Sequence, residues 1–188
     1  MPSPLGHSLL GMVCFCFWRT GRKRHSFYWG FCLLLGVACL PDVDLLFGLW
    51  AGALNHFHRM ATHSYVFACL SAAIAWSVWK GVDREVGARE GLFLLLAAGS
   101  HLWADWMAID PTPPQGIMLL WPFSERYFMS PWAILPPLSK ESLAEIFQVK
   151  NILPVVLEAV YLSPLVVWAY WTAKRKSRSL AYSADRGS

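Results

Sequence analysis

The sequence has few charged side chains and no cysteine pattern typical of a redox or zinc site. Only 15% of its 188 residues are Asp, Glu, Lys or Arg, whereas 56% are hydrophobic and 11 are Trp. The five cysteines form no CxxC pair and lie in or beside apolar runs, so no disulfide framework is implied and packing roles are favoured. Internal repeats are absent. This composition indicates either a very apolar globular domain or a small polytopic membrane protein, and the placement of the charges favours the second.

Apolar segments alternate with short polar segments along the chain. No positive charge precedes the first apolar segment, residues 9–18, and basic residues follow it, which is the wrong polarity for a cleaved signal peptide. Residues 45–54 are too short to span with certainty, so the sequence leaves open whether they span the membrane, re-enter it or lie at the interface. The predicted membrane helices are residues 9–18, 27–40, 65–79, 91–109 and 152–173. The sequence thus predicts one all-α domain over residues 1–188, with about five transmembrane or membrane-embedded helices plus short interfacial ones.

Basic residues are concentrated in three segments, residues 19–25, 80–90 and 174–188. If these segments face the cytoplasm, all but four of the 16 Lys and Arg residues lie on that side. An aromatic belt is predicted near the same edge, formed by Trp18, Trp29, Trp76, Trp79, Trp168 and Trp171. The pattern predicts a multi-pass membrane protein with a polar cytoplasmic tail over residues 174–188. It argues against a nucleic-acid-binding surface.

An imidazole and a carboxylate stand four residues apart inside the apolar segment 91–109. On a helix, His101 and Asp105 share one face with their Cβ atoms about 5 to 6 Å apart, close enough to hold one metal ion. Ionisable side chains inside a membrane are costly and are by default a sign of function. The alternative for this pair is a helix-packing hydrogen bond without a metal.

Five more ionisable side chains are predicted on the same, extracytoplasmic side of the membrane: His7, Asp42, Asp44, His58 and His63. Asp42 and Asp44 follow a predicted helix end, where Asp is common as a turn or cap residue. In an extended segment, however, residues i and i+2 point to the same side, as a metal clamp requires. His58 and His63 are five residues apart and therefore need a turn between them. Considered alone, His7 is interpreted as a solvent-exposed residue near the start of the first helix.

Other polar side chains leave alternatives open. Arg59 is either a snorkelling interface residue or a donor to a phosphate or carboxylate of a substrate. Glu158 is either a polar packing residue or a partner behind the metal ligands. His56 fits the site or the membrane interface, and His25, in the basic segment on the opposite side, is excluded. The Pro-rich stretch around Trp121 either covers the site or rests on the membrane.

The order of these residues resembles one protein family. The chain carries His7, then Pro41-Asp42-Val43-Asp44, His58-Arg59-x-x-Thr62-His63-Ser64, His101-x-x-x-Asp105, Gly116 and Trp121-Pro122-Phe123. This set resembles the YdjM-like bacterial and archaeal inner-membrane proteins labelled as metal-dependent hydrolases. Met60 and Ala61 stand where that family suggests Gly or another small residue. The resemblance implies a helical membrane fold and hydrolase activity, without a substrate. By analogy, the HxxxD motif is also similar to that of zinc-dependent phospholipases C.

The donor types predict a divalent metal, Zn²⁺ or, because carboxylates also suit harder ions, Mn²⁺ or Fe²⁺. The predicted ligands are His58, His63, His101 and Asp105, followed by Asp42, Asp44 and His7. One of the carboxylates, Asp42 or Asp44, is expected to act as a general base, and Arg59 to neutralise charge on the substrate. The predicted substrate is an ester or phosphoester of a lipid or lipid-linked molecule, cleaved by metal-activated water. The alternative is a non-catalytic metal-binding, transport or scaffold protein of the membrane.

Overall fold

The structure, a computed structural model, describes residues 2–20, 25–52, 55, 57–111, 113–140 and 142–186. Its α-helices are α1 (Pro4–Trp18), α2 (His25–Cys39), α3 (Asp44–Trp50), α4 (Tyr65–Val82), α5 (Ala88–Trp106), α6 (Leu143–Ile146) and α7 (Ile152–Arg186). Short 3₁₀ turns cover Leu40–Val43, Ala61–His63 and Val149–Asn151. Over the described residues, extended pairing is limited to isolated bridges. The predicted all-α class is therefore confirmed.

Three helical segments are long and apolar enough to cross a membrane: Phe27–Trp50, Tyr65–Val82 and Val149–Leu180. At 15 residues, α1 is apolar but shorter than the roughly 20 residues that a span needs. α5 carries charged residues at both ends and packs against α1, α2 and α4, while α1 packs against α7. The result is a helical membrane protein in which α1 and α5 complete the bundle.

The chain stays helical through Pro41, where the sequence predicts a helix end followed by an extended segment. Pro41 occupies the first turn of the 3₁₀ segment, where the N–H that proline lacks has no helical acceptor. Helix α2, this turn and α3 consequently form one apolar segment, Phe27–Trp50. The predicted extended backbone at Asp42 and Asp44 is wrong, and residues 45–50 continue this segment instead of forming a separate re-entrant piece. Residues 53 and 54 lie outside the described part of the chain.

Tryptophans and charged side chains pack together at one end of the bundle. Trp18 is fully buried, lies 5.1 Å from the ring of Trp79 and donates a 3.0 Å hydrogen bond to Glu90. Gly30 makes room for this indole, because a Cβ there would lie 2.2 Å from it. Arg89 donates to the Trp18 carbonyl at 2.7 Å and so closes the end of α1. The His and Asp residues singled out above lie at the opposite ends of α1 and α5.

Glu158 is fully buried in α7 and holds the start of α1. Its carboxylate accepts hydrogen bonds from the Ser3 N–H at 2.9 and 3.0 Å and from the Ser3 hydroxyl. Ser3 in turn caps α1 by accepting from the Gly6 N–H. Because His7 is the next residue of this first turn, the Glu158 carboxylate fixes where that imidazole lies. Glu158 is thus a positioning residue behind the site.

We expect Glu158→Gln to lower the free energy of unfolding by about 1–3 kcal/mol, because the amide places N–H groups against the Ser3 donors. Thermal or denaturant unfolding in detergent measures this change. Glu145→Gln is the matched control, since the Glu145 carboxylate pairs with Lys150 at the surface at 3.2 Å and contributes little. An unfolding midpoint for Glu158→Gln equal to that of the wild type would contradict the anchoring role.

Candidate metal centre

The structure brings six ionisable side chains together at one end of the bundle. They come from α1, the first 3₁₀ turn, the segment between α3 and α4, and α5: His7, Asp42, His58, His63, His101 and Asp105. Most of these side chains are fully buried, whereas that of Asp42 is 12% exposed. The cluster is therefore open on the side of Asp42.

Asp105 lies at the centre of three imidazoles. Its Oδ2 is 3.1 Å from His63 Nε2 and 3.1 Å from His101 Nε2, and these two nitrogens are 3.2 Å apart. Its Oδ1 is 3.6 Å from His7 Nε2. The Nε2 atoms of all three rings thus point at one carboxylate.

Asp42 faces the same nitrogens from the open side. Its Oδ1 lies 3.6 Å from His63 Nε2 and 3.8 Å from His101 Nε2. The same oxygen is 4.0 Å from His58 Nε2, and Oδ2 is 3.8 Å from His7 Nε2. These Asp42 distances exceed hydrogen-bond length, so Asp42 faces the imidazoles without bonding to them.

Several buried atoms of the cluster have no hydrogen-bond partner: both ring nitrogens of His7, Asp42 Oδ1 and both carboxylate oxygens of Asp105. An unsatisfied buried polar atom costs about 1–3 kcal/mol, and more when it is charged. A cation bound among these nitrogen and oxygen lone pairs would remove much of that cost. The donor sets that could hold a metal ion are His7, His101 and Asp105; Asp42, His63 and His101; and Asp44, His58 and His63. These residues therefore fit a metal ion.

Asp44 approaches two of the histidines from behind. Its Oδ1 is 2.7 Å from His58 Nδ1, and its Oδ2 lies 3.2 Å from His63 Nδ1 and accepts from the Thr62 hydroxyl at 2.6 Å. A carboxylate on Nδ1 fixes the ring orientation and leaves Nε2 for a metal. Asp42 and Asp44 consequently meet opposite edges of the His63 ring, which differs from the single two-carboxylate clamp predicted from the sequence.

Backbone and ring contacts hold the remaining imidazoles. His101 Nδ1 donates to the Ala38 carbonyl at 2.8 Å, so its Nε2 is the acceptor that faces the cluster. The ring of His7 stacks on that of His101, with centroids 3.7 Å apart and planes inclined by 16°. Both rings are therefore fixed before any ligand arrives.

The predicted turn between His58 and His63 is present. It combines a left-handed residue, Arg59 with φ 71°, and the 3₁₀ turn Ala61–His63. The Arg59 guanidinium forms an ion pair with Asp110, whose Oδ2 also accepts from the Gly116 N–H at 3.0 Å. The structure thus gives Arg59 a partner within the protein, and its role toward a substrate stays a prediction.

Lys140 belongs to the site although it lies in none of the sequence motifs. Its Nζ lies 2.6 Å from His58 Nε2. Burial and this ammonium lower the pKa of His58 to about 4, so the ring is neutral, as a metal ligand must be. The available signal was that Lys140 is one of the few basic residues outside the three basic segments. His56 lies outside the described residues, as does the side chain of His25.

A cavity of about 480 Å³ adjoins the cluster. Asp44 and Thr62 form the wall that it shares with the histidines. The rest of the lining is Phe47, Trp50, Phe57, Met60, Ala61, Met118, Trp121 and Glu125. Because Trp121 lines this cavity, the Pro-rich stretch borders the site, while Phe123 two residues later is exposed.

Comparison with known proteins places this chain in a family. A family model described as YdjM inner membrane protein matches residues 1–177. The chain belongs to the YdjM inner membrane protein family. It is also 35% identical over 103 residues to inner membrane protein YbcI of Escherichia coli (strain K12). That alignment covers 53% of this chain and 57% of YbcI, so the chain spans little more than half the length of this relative. No solved structure matches the chain.

The YdjM match includes every residue of the cluster described above. The family resemblance inferred from the ordered motifs is thus confirmed, and so is the assignment to the inner membrane. Neither comparison gives a substrate or a metal.

In this YdjM-family chain, we expect Asp44→Asn to weaken metal binding about 10- to 100-fold, because the amide no longer fixes the rings of His58 and His63. Competition against a chromophoric chelator measures the affinity. Glu125→Gln is the control, since it removes an acid that lines the same cavity but belongs to none of the His and Asp donor sets. Unchanged affinity in Asp44→Asn would show that Asp44 does not orient the ligands.

Proposed function

We propose that this protein is a membrane-embedded, metal-dependent hydrolase that cleaves an ester or phosphoester of a lipid or lipid-linked substrate. The observation that carries the proposal is a buried cluster of imidazoles and carboxylates in which both ring nitrogens of His7, Asp42 Oδ1 and both Asp105 oxygens have no hydrogen-bond partner. A cluster built only for packing would pair its donors with its acceptors. Its place at one end of a bundle of apolar helices favours a substrate that resides in the membrane.

His63, His101 and Asp105 are the ligands that we assign first, because their facing atoms lie within 3.2 Å of one another. His7 and His58 complete the donor set, and Asp42 faces it from the open side. Imidazole nitrogens with carboxylate oxygens suit Zn²⁺, and Mn²⁺ or Fe²⁺ as alternatives. When bound, such a cation supplies Lewis acidity and lowers the pKa of a coordinated water to about 7.

The protein's own residues then have separate tasks. Asp42, the partly exposed carboxylate, accepts the proton of the attacking water as general base. Asp44 and Thr62 hold the histidine rings, and Glu158 holds the start of α1. The buried positions of these groups keep bulk water away from all but the open side.

The apolar cavity supports a lipid substrate. Its walls are mainly aromatic and aliphatic, and its volume falls within the range of about 300–1,000 Å³ that is usual for small-molecule sites. It adjoins α3, whose Leu46, Phe47 and Trp50 side chains are exposed where lipid would surround the protein. We propose that the cluster faces the extracytoplasmic side and the C terminus the cytoplasm, because Arg19, Arg89 and Lys174 of the basic segments lie at the other end of the bundle.

Metal analysis of detergent-purified protein, followed by turnover on phospholipids and polyprenyl phosphates, tests the proposal. The wild type should hold stoichiometric metal and cleave a member of this panel, and Asp42→Asn should lower kcat at least about 100-fold. Asp83→Asn, between α4 and α5 at the far end of the bundle, is the control with wild-type turnover. Metal without turnover on any substrate would support the metal-binding or transport alternative. Absence of metal would support a scaffold.

A further inference from the structure

We propose that Lys140 is the anion-binding residue of this centre and that its ammonium holds a phosphate oxygen of a lipid phosphoester beside the metal. The proposal rests on the hydrolase function proposed above and narrows its substrate from esters in general to esters of phosphoric acid. The observation behind it is the position of the Lys140 side chain, which is not one of the predicted metal ligands.

The 3₁₀ turn that precedes α7 fixes the backbone next to Lys140. Asn151, which is only 4% exposed, accepts from the Ser139 N–H at 2.9 Å and donates to the Ser139 carbonyl at 2.8 Å. The same amide donates to the Glu145 carbonyl at 2.8 Å. A buried amide bonded in this way holds the segment in one place, so Lys140 is presented to the cluster by a fixed support.

His58 offers one lone pair toward the cluster. Its Nδ1 is bound to Asp44, which leaves Nε2 as the acceptor for the Lys140 ammonium at 2.6 Å. A metal ion coordinated by Nε2 takes the same lone pair. Lys140 and a metal ion would therefore compete for the lone pair of His58 Nε2. When the metal binds, the Lys140 ammonium would lose this acceptor but stay next to the cluster.

Two neighbouring cations repel each other unless an anion lies between them. Asp42 and Lys140 are each partly exposed, whereas the imidazoles are buried, so a substrate group has access to the cluster beside these two side chains. A phosphate carries several charged oxygens and can bind the metal through one and accept from the ammonium with another. A carboxylic ester has no such charge, and therefore the Lys140 position favours a phosphoester.

The test uses Co²⁺ as the probe, because its visible absorption reports both metal binding and phosphate binding. We expect Lys140→Met to bind Co²⁺ about tenfold more tightly, since the competing cation is gone. Inorganic phosphate should bind the Co²⁺-loaded variant at least about tenfold more weakly than the Co²⁺-loaded wild type. Lys140→Arg keeps the charge and should retain phosphate affinity within about threefold.

Lys150→Met is the matched control, because Lys150 lies close by in the sequence but pairs with Glu145 instead of the cluster. Both affinities should stay at their wild-type values in this variant. To separate a lipid from a soluble phosphoester, phosphatidic acid in nanodiscs competes with inorganic phosphate. Tighter binding of phosphatidic acid supports a lipid phosphoester, and equal binding overturns the lipid part of the proposal.

Wild-type phosphate affinity in Lys140→Met would overturn the assignment while leaving the metal centre intact. Loss of Co²⁺ from Lys140→Met would also overturn it, because Lys140 would then support the ligands instead of competing with the metal. Failure of the wild type to bind Co²⁺ would refute the proposed function itself, so the two failures are distinguishable.

Discussion

His101→Ala protein is expected to copurify without metal under conditions in which the wild type retains it. His101 Nε2 lies 3.2 Å from His63 Nε2 and 3.1 Å from Asp105, and its orientation is fixed by the Ala38 carbonyl. Loss of this group removes a donor from the most compact part of the cluster. Changing a residue that only orients a metal ligand typically lowers metal affinity about 10- to 100-fold. Because His101 is itself assigned as a ligand, we expect its loss to lower metal affinity more than about 100-fold.

Elemental analysis after gel filtration in the presence of a weak chelator measures this loss. Trp103→Ala is the control, because the Trp103 side chain is exposed on the outer side of the same helix, α5. It should retain wild-type metal content. Stoichiometric metal in His101→Ala would place the ion elsewhere in the protein.

Asp105→Asn is expected to abolish the stabilisation of the protein by metal. A ligand at about 100 times its Kd raises the free energy of unfolding of a protein by about 2.7 kcal/mol when it binds only the folded state. Asp105 faces three imidazoles with both oxygens unpaired, so the neutral amide removes the charge that attracts a cation most strongly. The variant should therefore unfold at the same temperature with and without added Zn²⁺.

Unfolding followed by tryptophan fluorescence in detergent, with and without Zn²⁺, measures both curves. Asp83→Asn removes a carboxylate far from the cluster and should keep the full wild-type gain. A gain in Asp105→Asn as large as that of the wild type would mean that this carboxylate does not bind the ion.

Much of the arrangement follows from sequence periodicity. The four-residue spacing of His101 and Asp105 predicts that both lie on one face of a helix, and in the structure His101 Nε2 lies 3.1 Å from Asp105 Oδ2. The alternation of apolar and basic segments correctly identifies a helical membrane protein. The helix spacing is a local property, and the length of the apolar segments is set by the thickness of the bilayer. Both can therefore be predicted from a single sequence.

Other features depend on tertiary contacts that no local pattern encodes. Pro41 is compatible with a helix end and with the first turn of a new helical segment, and the side chains of Asp42 and Asp44 diverge only in the second case. Lys140 reaches His58 because Asn151 holds the segment before α6, and that segment has no periodic pattern of apolar residues.

Helix α7 continues past residue 173, where the predicted membrane helix ends, to Arg186. Ala, Lys, Arg and Leu favour helix, so the helix extends beyond its apolar part.

We infer that the buried His and Asp side chains hold a divalent ion. X-ray absorption at the zinc edge of the detergent-purified protein identifies the atoms bound to that ion. We expect nitrogen and oxygen neighbours at about 2.0–2.2 Å with the multiple scattering typical of imidazole. Sulfur neighbours at about 2.3 Å, which would indicate cysteine ligands, or a protein without bound metal would contradict it.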